Sequence, residues 1–474
     1  MTVHPPTTHR PRWIRIVNWL LVGQYLFFAT LLLYKVVKDG RSVNLPLALT
    51  FAVLAAVFAW ALRASPENKV RVCLISVSSV LTVLALEVCV LVFKPHIRAF
   101  GEPDGAIVDP RDKLAVLNQL RRSGPAHPGV VPRRLTHRNG LAAGSDRIFP
   151  LAGISRTMTV LSKESGFWKS YLSDEYGFKN PPGTYSGNAP PIVFIGDSFV
   201  HGASVKEGDD IAGRMRQLGQ PAINLGFWAN GPLLELATLT EYGLRSGPRA
   251  VFWVYFEGND LAELGDEKTS PLLTAYLNNG HSQHLAERQN LADQLLKQYC
   301  DEKEKKLAGA NGTRLHTQRG RLIDRARNWP IVRVARLVHL RDLAEAAFQR
   351  RQMVTVGWEK NRVTDEQLSL FQKILTLAEQ RTKESGAEFY FVYLADQTRF
   401  RQKMASSRVW RYRGQILSIV ESLKIPCIDL SEDFARHPDP LSLYISRSFY
   451  SHFNAAGNEF VARACLNRLE ADRK

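Results

Sequence analysis

Five short apolar segments in the second half of the chain most constrain its fold. They are PIVFIG (191–196), PAINLG (221–226), AVFWVYF (250–256), EFYFVYL (388–394) and PCIDL (426–430). Unbroken apolar runs of this length are typical of strands buried on both faces of a parallel sheet. Helical segments are predicted between them at 233–244, 366–384 and 410–423. The alternation predicts an α/β fold, a mainly parallel sheet between two helical layers.

Three longer apolar runs lie within the first hundred residues, at 16–34, 43–62 and 72–93. Each is long enough to cross a bilayer as a helix. A signal peptide is the competing interpretation of the first run, but no small-residue cleavage site follows it and two more apolar runs do. We therefore expect a basic N-terminal tail (1–12) and a membrane anchor of three transmembrane helices (13–94).

An odd number of spans places the two ends of the chain on opposite sides of the membrane. The Lys and Arg residues of the loops do not decide the orientation. With a cytoplasmic N-terminus, the chain is a multi-pass protein of a bacterial-type inner (plasma) membrane whose C-terminal domain is periplasmic or extracellular. Glu87 lies within the third run. A carboxylate there is either functional or paired with a neighbouring helix.

The composition narrows the class of partner. The formal net charge is +17, yet the chain contains no recognisable nucleic-acid-binding motif, and its basic residues are spread over the membrane flanks and one insert. We expect no nucleic-acid partner; a lipid bilayer with anionic headgroups or an acidic glycan fits better. The five cysteines show no metal-ligand spacing. No metal and no cofactor are predicted.

Two further regions complete the organisation. Residues 95–189 are rich in Gly, Pro and Arg with short β-like pieces such as 157–161, and we interpret them as a connecting subdomain. The sheet domain follows at 190–474 and contains a mostly helical basic insert at about 262–362. Within the insert, 331–348 is amphipathic. It either packs on the domain or rests on a membrane surface.

The segment FIGDSFVHG places Ser198 directly after a buried strand, at the start of a helix. A serine there is exposed at the carboxyl edge of the sheet, where the helix N-terminus favours negative charge. In isolation, Gly196, Asp197 and Ser198 fit an ordinary helix cap equally well. We expect Asp197 to brace the turn.

Three further segments accompany this motif in order: NLGFWANGP (224–232), FEGND (256–260) and YSHFNAAGNEFVA (450–462). Together the four resemble the blocks of the SGNH (GDSL) hydrolase family over about residues 190–474. The resemblance implies a flavodoxin-like, three-layer αβα domain with Ser198 as nucleophile and His452 as general base.

The same resemblance implies an oxyanion hole. Its donors are the backbone N–H groups of Ser198 and Ala229 and the side-chain amide of Asn259. The family has a glycine where this chain has Ala229, and Gly231 lies close enough to leave the register open. Asp260 belongs to the turn after the strand.

One departure concerns the third member of the triad. The family usually has an aspartate three residues before the histidine, where this chain has Phe449. Such a carboxylate holds the imidazole in its reactive tautomer. A backbone carbonyl, Asp433 or Asp439 are the candidate replacements. The gap also favours an inactive domain.

The motifs predict a membrane-anchored serine esterase or O-acyltransferase acting on ester-linked acyl groups, above all acetyl. The resemblance extends to glycan O-acetyltransferases and esterases, which implies an ester-bearing cell-surface glycan or a small ester as substrate. Three helices are too few to transport an acyl group, so transfer requires a membrane acyl-donor partner. The alternative is a catalytically weak or inactive SGNH-like protein that binds glycans or acts as a scaffold.

Overall fold

The structure is a computed structural model of the 474-residue chain. It describes residues 12–39, 45–93, 109, 111–187, 189–315, 334, 337, 340, 363–400, 412–447 and 451–473. The chain divides into two compact units, one of residues 1–97 and 321–345 and the other of residues 98–320 and 346–474.

The secondary structure alternates strands and helices in the second unit. The helices, in chain order, are α1 (Arg12–Asp39), α2 (Leu45–Arg63), α3 (Pro66–Phe93), α4 (Lys113–Leu120), α5 (Ser198–His201), α6 (Ile211–Gln217), α7 (Pro232–Thr238), α8 (Asp260–Glu267), α9 (Pro271–Thr274), α10 (Gln289–Leu315), α11 (Asp365–Glu384), α12 (Arg413–Ser422), α13 (Ser431–Arg436) and α14 (Ala455–Ala471). The strands are β1 (Ala126–Pro128), β2 (Leu141–Ala143), β3 (Asp146–Ile148), β4 (Met158–Val160), β5 (Ser170–Leu172), β6 (Ile192–Gly196), β7 (Ala222–Asn224), β8 (Ala250–Phe256), β9 (Glu388–Leu394) and β10 (Cys427–Asp429).

The five predicted strands form one sheet, in the order β10-β9-β8-β6-β7. All of its pairings are parallel. Counted from β6 as the first strand, the order is 2-1-3-4-5, which is that of flavodoxin-like sheets. The prediction of an α/β fold with a parallel sheet is confirmed.

The sheet is covered on both faces because its strands β6 and β8 are apolar along their whole length. Ile195 and Trp253 lie in a core shared with α7, α11 and α12. Phe194 and Phe252 lie in a second core, shared with α6, α13 and α14. Successive strand residues point to opposite faces, so an unbroken apolar strand fills two cores at once.

The region predicted to connect the anchor to the sheet domain forms small sheets of its own. Strands β1, β4 and β5 make a three-stranded sheet, in which β1 pairs with β4 in parallel and β4 with β5 antiparallel. Strands β2 and β3 form an antiparallel pair. The loop at 161–169 joins β4 to β5. Ser162 Oγ in this loop donates to the Ala203 carbonyl at 3.0 Å, which fastens the loop to the turn after α5.

The first part of the predicted insert is helical and contains most of α8 together with α9 and α10. The rest of 262–362, including most of the amphipathic segment 331–348, lies outside the described residues. The same is true of residues 1–11 of the predicted basic tail.

Three helices form where three membrane spans were predicted. Among the described residues, only α3 is long and apolar enough to cross a membrane. Its candidate span is the segment 66–90, in which only 11% of the residues of the most apolar window are buried. The apolar stretch of α2, at 49–63, is shorter. In α1, Asn18 and Gln24 interrupt the apolar run, and they contact α3: Lys69 Nζ donates to Asn18 Oδ1 at 3.0 Å and Gln24 Nε2 to Ser76 Oγ at 2.9 Å. The expectation of three transmembrane helices was thus too broad.

The side chain of Glu87 on α3 is fully buried. One of its carboxylate oxygens accepts the backbone N–H of Leu340 at 2.7 Å, from the insert segment that belongs to the same unit. A buried carboxylate needs such a donor. Glu87 therefore pairs within its own unit.

Gly196, at the end of β6, gives a test of the packing around the sheet. A Cβ there would lie 2.5 Å from Val200 Cγ2 and 2.9 Å from the Val254 carbonyl oxygen. We expect Gly196→Ala to lower the free energy of unfolding by about 2 kcal/mol, because either the neighbouring strand β8 or the helix α5 must shift to make room for the methyl group. Chemical denaturation measures this. Gly187→Ala, where a Cβ meets nothing within 4 Å, is the control, and equal effects of both variants would contradict the packing.

Candidate active site

The Ser198 hydroxyl lies at the carboxyl edge of the sheet because β6 ends at Gly196 and α5 begins at Ser198. Asp197 forms the turn between them: its carboxylate accepts the Phe199 N–H at 2.9 Å and caps the helix. The bracing role predicted for Asp197 agrees with this contact. As a first-turn residue, Ser198 has a backbone N–H without an acceptor inside the helix, so this N–H is available to a ligand.

His452 lies beside Ser198 although 254 positions separate them in sequence. Its Nε2 is 2.8 Å from Ser198 Oγ. Asn454 fixes the chain here, since its side chain caps α14 by accepting the Gly457 N–H at 3.1 Å and donates to the Ser442 carbonyl at 2.7 Å. The helix start thus presents the imidazole to the serine.

The opposite nitrogen of His452 contacts a residue that the sequence analysis missed. Nδ1 is 2.6 Å from Oε2 of Glu164, and the His452 backbone N–H donates to Oε1 of the same carboxylate at 2.9 Å. Ser204 Oγ also donates to Oε2. Glu164 lies in the loop between β4 and β5, in the region predicted only to connect domains.

The carboxylates proposed from the sequence for this place lie elsewhere. Asp433 pairs with Arg436, and Asp439 pairs with Arg447. Phe449, the position that suggested the gap, is outside the described residues. An ionised Glu164 accepts a hydrogen bond from Nδ1–H. In this tautomer Nε2 carries no proton and can accept that of the serine.

Burial and charge oppose each other in the titration of this pair. Burial raises the pKa of Glu164, but the charge of His452 and the hydrogen bonds from His452 and Ser204 outweigh it, so the pKa lies below its usual value. Burial lowers the pKa of His452, but the Glu164 carboxylate and then Asp197 outweigh it, so this pKa lies above 6.5. The site therefore favours the ionised acid and makes His452 a stronger base than a free imidazole.

The predicted oxyanion-hole residues follow the neighbouring strands. Ala229 adopts a left-handed backbone, with φ of +59°, in the loop after β7. Gly231 does not compete for this role because its N–H donates to Glu267 Oε1 at 2.6 Å. A Cβ at Gly231 would also lie 2.9 Å from that oxygen. The occupied N–H at Gly231 leaves Ala229 as the candidate donor.

Asn259 lies after β8, on the other side of Ser198, and is the N-cap of α8. Its Nδ2 donates to Asp197 Oδ2 at 3.3 Å, and the same carboxylate oxygen lies 3.3 Å from Ser198 Oγ. Asp260 is structural: its Oδ2 accepts the Phe256 N–H at 2.8 Å and closes the turn. Asp197 therefore holds the side-chain amide of Asn259 next to Ser198.

Several buried carboxyl groups lie close to Asp197. Burial raises the pKa of Glu267 to about 7. Burial also raises the pKa values of Glu235, Asp260 and Glu263 well above their usual range, and the charges of neighbouring carboxylates raise them too. Glu267 caps α7. Among the described residues, no group of three or more His, Cys, Asp or Glu side chains has an arrangement that could hold a metal ion.

Comparison with known proteins gives a limited result. No family model matches the chain, and no curated protein matches it. Sixteen chains of solved structures do match. One is the crystal structure of an acetyl xylan esterase, AlAXEase, at 13% identity and a TM-score of 0.31, with 59% of this chain and 98% of that chain covered.

The contact between Glu164 and His452 predicts a change in titration. We expect Glu164→Gln to lower the pKa of His452, because burial then opposes the imidazolium and only the weaker effect of Asp197 remains to offset it. NMR titration of ¹³C-labelled histidine, assigned with a His452→Ala variant, measures this. Asp439→Asn is the control and leaves this pKa unchanged. An equal pKa in wild type and Glu164→Gln would contradict the contact.

Proposed function

We propose that the chain is a serine esterase or acyltransferase of the SGNH (GDSL) type, with Ser198, His452 and Glu164 as its triad. One observation supports this above the others, the continuous hydrogen-bonded chain from Ser198 Oγ through both ring nitrogens of His452 to Glu164. Nucleophile, base and orienting acid within hydrogen-bond reach are the signature of an activated serine.

The proposed reaction proceeds through an acyl-enzyme. His452 Nε2 takes the proton of Ser198 as Oγ attacks the ester carbonyl, and the tetrahedral intermediate collapses when the same proton passes to the departing alkoxide. Water, or a hydroxyl of an acceptor, then gives its proton to His452 and attacks the acyl carbon, which releases Ser198. Glu164 stays ionised and stabilises the imidazolium formed in each half.

Three donors are proposed to stabilise the oxyanion. They are the N–H groups of Ser198 and Ala229 and the side-chain amide of Asn259, which Asp197 holds in place. Removing one such donor typically costs roughly 3 to 4 kcal/mol of transition-state stabilisation. The φ of +59° at Ala229 supports its proposed role as an oxyanion donor, because glycine is the residue normally expected in this conformation and the family has a glycine here.

The non-catalytic alternative was favoured by the missing acid at position 449 and by the large insert. Glu164 removes the first of these grounds, because it supplies a carboxylate to the imidazole. We therefore favour an active enzyme. The proposed substrate is an acetyl or similar acyl ester, in a small molecule or a cell-surface glycan. Transfer rather than hydrolysis requires an acyl donor, which we assign to a separate membrane partner.

We also propose that α3, with α1 and α2 packed against it, anchors the chain in a bacterial-type inner membrane, with the second unit on the periplasmic or extracellular side. Large apolar side chains on these helices support this, since Trp19 is 75% exposed and Ile75 67% exposed. The exposure of many large apolar side chains is costly in water and favourable in lipid.

The nucleophile has a direct test. In hydrolysis of p-nitrophenyl acetate, we expect Ser198→Ala to lower kcat by at least about a thousandfold, because no hydroxyl remains to form the acyl-enzyme. Ser422→Ala, on the surface of α12, is the control with unchanged kcat. Equal rates for wild type and Ser198→Ala would refute a serine mechanism.

The anchor predicts a fractionation result. We expect the full chain to stay in the membrane pellet after washing with alkaline carbonate, because the apolar helices gain free energy in lipid. A variant without residues 1–97 is the comparison and should leave the pellet. Release of the full chain by carbonate would contradict the anchor.

A further inference from the structure

We infer that Ser204 is a positioning residue of the proposed triad: its hydroxyl holds the Glu164 carboxylate against the imidazole of His452. This inference rests on the proposed function. Ser204 lies outside the four motif segments and follows the nucleophile by six residues. Its Oγ donates to Oε2 of Glu164, the same oxygen that contacts His452 Nδ1.

The hydrogen bonds that Glu164 accepts show why the Ser204 hydroxyl matters. One oxygen accepts the His452 backbone N–H at 2.9 Å, and the other is shared by the imidazole and the Ser204 hydroxyl. A glutamate side chain has several rotatable bonds, so holding it in one conformation costs conformational entropy. The backbone N–H restrains one oxygen alone. The Ser204 bond fixes the plane of the carboxylate, and with it the direction in which Nδ1 donates.

The turn that carries Ser204 is itself held on both sides. Lys179 Nζ donates to the carbonyl of Gly202 at 2.7 Å and to that of Val205 at 3.1 Å. Ser162 Oγ, from the loop of Glu164, donates to the Ala203 carbonyl between them. Ser204 is only 2% exposed, so water does not compete with its hydroxyl.

This arrangement links the nucleophile to the acid through the backbone. Helix α5 begins at Ser198 and ends in the turn that presents Ser204. The chain segment that places the serine therefore also places the group that orients the acid, although the acid comes from a distant loop. A hydrogen bond to a charged group is stronger than one between neutral groups, so its loss should be visible in the kinetics.

The test uses the full chain in detergent and hydrolysis of p-nitrophenyl acetate. We expect Ser204→Ala to lower kcat about tenfold with KM unchanged, because the carboxylate loses its orientation while the substrate contacts remain. In a Glu164→Ala background the same substitution should cost nothing further, since Ser204 acts through Glu164. A merely structural serine would lower kcat in both backgrounds.

Ser165→Ala is the matched control, because this neighbour of Glu164 bonds the Phe167 carbonyl instead, at 3.5 Å. It should keep the wild-type kcat. Should Ser204→Ala fail to fold, Ser204→Cys serves in its place, since the near-isosteric thiol is a weak donor. Full activity of the Ser204 variant, or an equal loss in the Glu164→Ala background, overturns the inference. Equal rates for wild type and Ser198→Ala overturn it together with the proposed function.

Discussion

The contact between Glu164 and His452 is the interaction on which the site depends. An imidazole buried beside a serine has two tautomers and a pKa that burial lowers, and neither property suits a general base. The carboxylate reverses both: it accepts a hydrogen bond from Nδ1–H, which fixes the tautomer, and it raises the pKa of the ring. Because it also accepts the His452 backbone N–H, one side chain orients ring and main chain together.

This dependence gives the small sheets before β6 a role beyond connection. Glu164 lies between β4 and β5, and its loop is fastened to the turn after the nucleophile helix by Ser162 and Ser204. The motif segments at 190–474 contain the serine, the histidine and the oxyanion donors, but not this acid. The catalytic unit we propose therefore begins well before the first strand of the parallel sheet.

The sequence predicted the features that have a local cause. Unbroken apolar runs indicated strands such as β8, and a glycine–aspartate turn before Ser198 indicated the helix start. Glu164 has no such signal, since its partner lies 288 positions away and the loop pattern is ordinary. The choice between Ala229 and Gly231 also required the structure, because it depends on which N–H Glu267 already occupies. Likewise, the apolar run at 16–34 gave no indication that Asn18 and Gln24 contact α3.

The most direct measurement is the rate at which a fluorophosphonate phosphonylates Ser198, followed from acid to neutral pH by mass spectrometry. His452 must be neutral to take the proton, and its pKa is raised, so the rate should rise through a single ionisation above pH 6.5 and reach a plateau. The same reaction should be slow at every pH in His452→Ala. A rate that is independent of pH, or equal in the two proteins, would contradict a serine activated by His452 and Glu164.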